Sequence, residues 1–315
     1  MTNKVTVPAV RARKVRHGAE PLVMVTAYDA PGARMVDDAG ADLILVGDSV
    51  AMVVLGYDDT LQVTVEDLAH HTAAVARTKP SALVVADLPW LSYHVSVADT
   101  VRNAAELIRA GGQSVKLEGG RKRLPMIEAL VDAEIPVMGH IGLTPQSVHA
   151  MGGFRVQGRE TSAALALVDD AKALAHAGCF AIVVEGVPDE VGALITDAVD
   201  VPIVGIGAGP ACDGQVLVLH VVLGLEDRVL PKFVRRYAEL KQAGTDALRA
   251  FAADVRSGSF PSAAEATTSP RSNPRRSGST AEPADENHTR PRRPLGRSAY
   301  EMGPRPRAMR LNSIG

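Results

Sequence analysis

The sequence predicts an α/β fold, a (β/α)8 barrel of the TIM type, followed by a disordered C-terminal tail. Three observations carry this. Short, almost wholly apolar runs recur eight times between residues 23 and 220, and most end on a polar residue or a glycine. Runs that apolar do not suit strands with one solvated face, so both faces must be covered, as in a parallel sheet beneath helices. Helical patterns fill the intervals, and the alternation spans about 250 residues, the usual size of such a barrel. A doubly wound open sheet is the competing arrangement. From Ser262 onward Ser, Pro, Arg and Ala dominate without apolar periodicity, and such a segment cannot bury enough surface to offset the entropy of ordering.

In chain order, the strands are expected in VMVTAYD (23–29), VDDAGADLILVGD (36–48), LVVADLP (83–89), IRAGGQSVKLEGG (108–120), VDAEIPVMGHIG (131–142), LAHAGCFAIVVEGV (174–187), IVGIGAG (203–209) and VLVLH (216–220). Helices are expected near 65–78, 99–110, 123–133 and 161–177. In the last, Leu165, Val168, Lys172 and Ala175 recur at three and four, Thr161 is placed to cap the start and Gly178 to end it. The domain division is therefore residues 1–261 for the barrel and 262–315 for the tail.

Composition narrows the function. Aromatics make up 3% of the chain, so Val, Leu, Ile and Ala must build the core. A net charge of −2 gives no argument for nucleic acid. From Ser262 onward there are ten Arg, no Lys and five acidic residues, a formal +5 that leaves −7 for the rest, the asymmetry of a basic tail. Cys179 and Cys212 form no close redox or metal pair, which suits a reducing compartment. No apolar run approaches the roughly 20 residues of a membrane span. The basic N-terminus lacks the apolar core of a secretory signal. A cytoplasmic location is expected, with a short organelle-targeting peptide as the minor alternative.

In such a barrel the reacting groups sit at the C-terminal ends of the strands. Those ends carry Asp48, Asp87, Lys116, Glu118, His140 and Glu185. Singly, each has an ordinary explanation: a turn or cap for Asp48 and Asp87, mutual neutralisation for Lys116 and Glu118, a hydrogen-bonded core role for His140, a solvated loop for Glu185. Together, six ionisable groups at one end of five similar strands are hard to dismiss, because burying unpaired charge is costly. Lys116 and Glu118, two apart on one strand, point the same way, into the barrel mouth. Carboxylates without thiolates suit a hard cation such as Mg²⁺, and a 2-oxo acid is a natural chelator whose proton loss such an ion assists. The glycines of IVGIGAGP (203–210) are expected to let backbone amides approach an anionic ligand, with plain close packing as the alternative.

The segments TAYDAPGARMVDDAG, LVGDSVAMVVLGYDDTLQVT, VVADLPW, VKLEGG, GHIGLTPQSV, GGFRVQGR, VVEGVP and VGIGAGPACDGQVLV, in this order between about residues 4 and 261, closely resemble the 3-methyl-2-oxobutanoate (ketopantoate) hydroxymethyltransferase family. The resemblance implies a Mg²⁺-dependent barrel, a large homo-oligomer such as a decamer, and hydroxymethyl transfer from 5,10-methylenetetrahydrofolate to 2-oxoisovalerate, giving ketopantoate. It implies metal-site roles for Asp48, Asp87 and Glu118, substrate contacts for Asp48, Asp87, Ser49, Lys116 and His140, and proton transfer by Glu185. Three departures stand out: Val50-Ala51 where the family often has Leu-Gly, Val221 where it usually has Asp, and the long Arg/Pro ending. Two other readings stay open at this point: a Mg²⁺-dependent carbon–carbon lyase acting on another 2-oxo acid, and a non-catalytic barrel subunit.

Overall fold

The computed structural model describes residues 4–228 and 230–267. Eight parallel strands close into a barrel in the order β1-β2-β3-β4-β5-β6-β7-β8. They are β1 Leu22–Thr26, β2 Leu43–Val46, β3 Leu83–Asp87, β4 Ser114–Glu118, β5 Val137–Gly142, β6 Ala181–Glu185, β7 Ile203–Ile206 and β8 Gly214–Leu217. β1 pairs with β8 through Leu22 and Gly214, which shuts the cylinder. The open-sheet alternative is thereby excluded.

The strands β2 to β7 divide their side chains between two buried layers, whereas β1 and β8 expose Val23 and Gln215. Leu43 and Leu45, Leu83 and Val85, and Met138 pack inside the cylinder. Ile44 and Val46, Val84 and Ala86, and Val115 and Leu117 pack outward against the helices. This two-sided burial is why the runs read as continuously apolar. A fully buried side chain of this size contributes roughly 1.5–3 kcal/mol, so register is strongly fixed: a slip by one residue would exchange the layers.

The helices start where the sequence offers caps. Asp29 Oδ1 accepts from Gly32 N at 2.7 Å ahead of Ala30–Asp38. Thr64 and Asp67 form a reciprocal capping box at Val65–Ala76, and Ser96 caps Val97–Arg109. Leu124–Asp132, Thr161–His176 and Asp189–Ala198 complete the ring after β4, β5 and β6. Thr161 is the first helical residue, with Glu160 before it making no side-chain cap. No helix separates β7 from β8; residues 207–213 are turns.

One expectation is corrected. β8 ends at Leu217, and Leu219–Val222 is a short helix, so His220 belongs to that helix. The apolar run continues through strand and helix alike, and nothing in its pattern marks the change. At 207 and 209 close packing requires glycine: a Cβ on Gly207 would meet the Phe233 ring at 2.6 Å and one on Gly209 would meet Asp189 Cβ at 2.5 Å.

The N-terminal segment plugs the lower end. Val10, from the helix Val7–Arg11, joins the interior cluster. Lys14 is fully buried and donates to Asp213 Oδ2 at 2.7 Å and to the carbonyls of Thr196 and Val201. The helix Leu240–Ser257 buries none of its residues, and Leu240, Leu248, Phe251 and Val255 are exposed on it. The barrel unit ends at Phe260. Most of the segment expected to be disordered, residues 268–315, lies outside the described residues.

Candidate active site

The alternation that fills the cylinder with Leu and Val below turns polar above. On β3 the inward set is Leu83, Val85, Asp87; on β4 it is Ser114, Lys116, Glu118; on β5 it is Met138, His140; on β6 it is Ala181, Val183, Glu185. Register places Asp87 beside Lys116 and Glu118 beside His140. Asp48 and Ser49 follow β2 directly. All seven residues expected from the sequence therefore meet at the C-terminal mouth.

Their contacts form two linked lines. Lys116 Nζ lies 2.7 Å from Asp87 Oδ1, and the other Asp87 oxygen accepts from Asp48 N at 3.1 Å. Gly47 makes this approach possible, since a Cβ there would meet Ser49 Oγ at 2.9 Å and Asp87 Oδ2 at 3.3 Å. His140 sits between two carboxylates, with Nδ1 3.2 Å from Glu118 Oε1 and Nε2 3.2 Å from Glu185 Oε2. Asp48, Asp87, Lys116, Glu118 and His140 are buried, whereas the Glu185 side chain keeps 17% of its surface.

The charges are out of balance in an informative way. Burial disfavours the ionised Asp48, and Asp87 and Glu118 add repulsion, so its carboxyl is pushed well above the usual range despite Lys116 and Gln146. Burial likewise raises Asp87 against the pull of Lys116. Glu118 ends below its usual value, because His140, Lys116 and the Gln146 amide outweigh burial. Burial and Lys116 oppose protonation of His140, yet Glu118 and Glu185 prevail and push it up to about 9. Burial would also discharge Lys116, but Asp87, Glu118 and Asp48 hold it protonated. The site thus buries more acidic groups, Asp48, Asp87 and Glu118, than cationic ones, Lys116 and His140.

Three residues absent from the sequence reading belong here. Tyr28 Oη lies 2.9 Å from Ser49 Oγ. Tyr93 Oη donates to Gln146 Oε1 at 2.6 Å, and Gln146 Nε2 donates to Asp48 Oδ2 at 2.8 Å. Tyr28 stands just past β1, so the same strand-end rule finds it. Tyr93 lies in a turn after β3 and Gln146 in the single 3-10 turn Pro145–Ser147 after β5, and neither carries a periodic signal. Among the described residues no three His, Cys, Asp or Glu side chains already converge on a single point as a ready-made metal cage.

Fold and site define a (β/α)8 barrel enzyme with an acidic, cation-deficient mouth. Solved structures of similar shape include phosphonopyruvate hydrolase in complex with oxalate and Mg²⁺ (TM-score 0.55, 16% identity, 82% of this chain and 92% of that one). Another is 2,3-dimethylmalate lyase, of the PEP mutase/isocitrate lyase superfamily (TM-score 0.53, 19% identity, 80% and 88%). At those identities the likeness is one of fold. A family profile described as ketopantoate hydroxymethyltransferase matches residues 4–263, and the chain belongs to that family. A 3-methyl-2-oxobutanoate hydroxymethyltransferase of Bradyrhizobium diazoefficiens is 55% identical over 262 residues, covering 83% of this chain and 89% of its own. One of Moorella thermoacetica is 55% identical over 260 residues, covering 82% and 96%.

Proposed function

We propose that the chain transfers a hydroxymethyl group from 5,10-methylenetetrahydrofolate to 2-oxoisovalerate, giving ketopantoate, the first committed step of pantothenate biosynthesis. Beyond family membership, one observation carries the reading. Glu185 is the least buried acid of the cluster and is oriented by a protonated His140, next to a buried Lys116. That is a base presented to the mouth beside fixed positive charge.

Glu185 takes the proton from C3 of the oxo acid. The electrons of the broken C3–H bond form the new bond to the one-carbon unit, and water forms its C–O bond; both folate C–N bonds to that carbon break with their electrons going to nitrogen, and the two nitrogens end up with the C3 proton and one proton of the water. His140 fixes one oxygen of Glu185 and leaves the other free. Lys116 holds positive charge where negative charge develops on the keto oxygen. Ser49, oriented by Tyr28, is placed to donate to the substrate.

The residues fit a divalent cation. Asp48, Asp87 and Glu118 are hard oxygen donors, and burial with repulsion from Asp87 and Glu118 disfavours ionised Asp48, a penalty a bound cation would relieve; Mg²⁺ is commonly held by one or two carboxylates while keeping several waters, so a dry three-carboxylate cage is not required. Bound there, Mg²⁺ would polarise the keto group and acidify the C3–H bond. The exposed apolar side chains of Leu240–Ser257 support assembly into a homo-oligomer, and the resemblance to the family implies one of decameric type. No described helix is long and apolar enough to cross a membrane, and both cysteines are free, which supports a cytoplasmic enzyme.

The decisive assay follows loss of 2-oxoisovalerate by purified protein, with and without the folate donor and Mg²⁺. Consumption only with both supports the reading. Consumption without folate would indicate a lyase, and none under any condition would indicate a non-catalytic barrel.

A further inference from the structure

The amide of Gln146 is saturated, and its orientation is forced. Tyr93 Oη accepts from the backbone N–H of Glu118 at 3.1 Å, so its one hydrogen is free for Gln146 Oε1 at 2.6 Å. That places Gln146 Nε2 against Asp48 Oδ2 at 2.8 Å and the Leu88 carbonyl at 3.0 Å. A flipped amide would set oxygen against two acceptors and nitrogen against a hydroxyl donor. The backbone N–H of the same residue donates to Glu118 Oε2 at 3.0 Å. Gln146 and Tyr93 are both buried.

The result is a directed chain from the end of β4, through Tyr93 in the turn after β3, through Gln146 in the 3-10 turn Pro145–Ser147 after β5, to Asp48 after β2. One oxygen of Asp48 and one of Glu118 are capped from this single loop residue. The second Glu118 oxygen faces His140 at 3.2 Å, and among the described residues no side-chain donor besides Gln146 bonds Asp48, which leaves its second oxygen uncapped.

We propose that Gln146 and Tyr93 form one positioning unit. It holds the carboxylates of Asp48 and Glu118 apart and aims the uncapped Asp48 oxygen at the divalent cation and the oxo acid. This rests on the metal reading above. Its force comes from direction: two acids buried together would otherwise turn to share a proton or to seek Lys116, and the chain denies both. Partners of metal-ligating groups typically contribute 10–100-fold to metal affinity.

The test is calorimetric titration of Mg²⁺ into the metal-stripped full chain, for wild type, Gln146→Met, Tyr93→Phe and the double variant. Melting temperatures in EDTA are measured in parallel. Each single change is expected to weaken Mg²⁺ binding about 10–100-fold. The double variant should be no weaker than the worse single one, because the two residues act as one chain. Exchange of the substrate C3 proton at saturating Mg²⁺ should slow, with a smaller change in KM. Binding within about twofold of wild type, alongside a fall in melting temperature in EDTA, would assign these residues a structural role only and overturn the proposal. Should Gln146→Met fail to fold, Tyr93→Phe removes a single oxygen and decides alone: wild-type Mg²⁺ affinity there is a refutation. Wild-type protein that binds no Mg²⁺ overturns the metal reading and this one with it, a failure recognisable because it precedes any substitution.

Discussion

Replacing Glu185 by Gln removes a base and little else. The amide has the same length, and its carbonyl can still accept from His140 Nε2, where the carboxylate oxygen now lies at 3.2 Å. With 17% of the side chain exposed, no cavity is created and no uncompensated charge is buried, so the fold should survive. Turnover should not: loss of a positioned general base typically costs about 10²–10⁴ in rate, or about 2.7–5.4 kcal/mol of barrel-site transition-state stabilisation. The assay is exchange of the C3 proton of 2-oxoisovalerate in deuterated water, followed by NMR with Mg²⁺ present and folate absent. The isolated proton step should slow as turnover does, while substrate binding persists through Lys116 and Ser49. A second readout tests the geometry: with one of its two carboxylates gone, the pKa of His140 should fall. Exchange at the wild-type rate would refute the assignment, and His140, held protonated, would be a poor substitute base.

In metal-free protein, the raised His140 stabilises the fold at low pH. Its contribution is present below the unfolded pKa near 6.5 and is lost as pH rises through about 9, so urea midpoints at pH 6 and pH 9.5 should differ in that sense and the difference should vanish in His140→Gln. Asp87→Asn should weaken Mg²⁺ binding and lower turnover with the fold intact; normal activity at limiting Mg²⁺ would remove Asp87 from the site. Truncation after Pro261 should leave the melting temperature nearly unchanged, and a large drop would show that the tail packs on the barrel. Lys14→Met should cost about 3–5 kcal/mol in urea denaturation, because Asp213 is left buried without its partner, and adding Asp213→Asn should restore part of it.

Much of the barrel was legible because its strands are buried on both faces, so runs such as LILV and LVVAD are continuous and unmistakable. The acidic mouth was legible for a related reason: an ionisable residue at the end of an apolar run has nowhere to point but inward or away. Lys116 and Glu118 share a face because strand periodicity is two, and their partners follow from register. The rest depended on things that pattern does not carry. β8 runs into the helix at Leu219 without a change of character. The glycines at 207 and 209 resemble a ligand cradle in sequence, and only the positions of Phe233 and Asp189 reveal a packing role. Tyr93 and Gln146 reach the site from a turn and a single 3-10 turn, where sequence separation says nothing of distance.

The pairing of β1 with β8 has a consequence for how the protein is made. Leu22 leaves the ribosome long before its partner Gly214. At about 5–20 residues per second, the intervening stretch takes on the order of 10–40 seconds to synthesise. Throughout that time β1 offers an open, apolar edge, and Lys14 has no Asp213 to meet. The nascent chain must therefore spend much of its synthesis as an unclosed sheet, the kind of edge that invites association with neighbouring chains. The last strand and the buried ion pair arrive together and end that exposure, so closure is a late, long-range event that no local stretch of the sequence can bring forward.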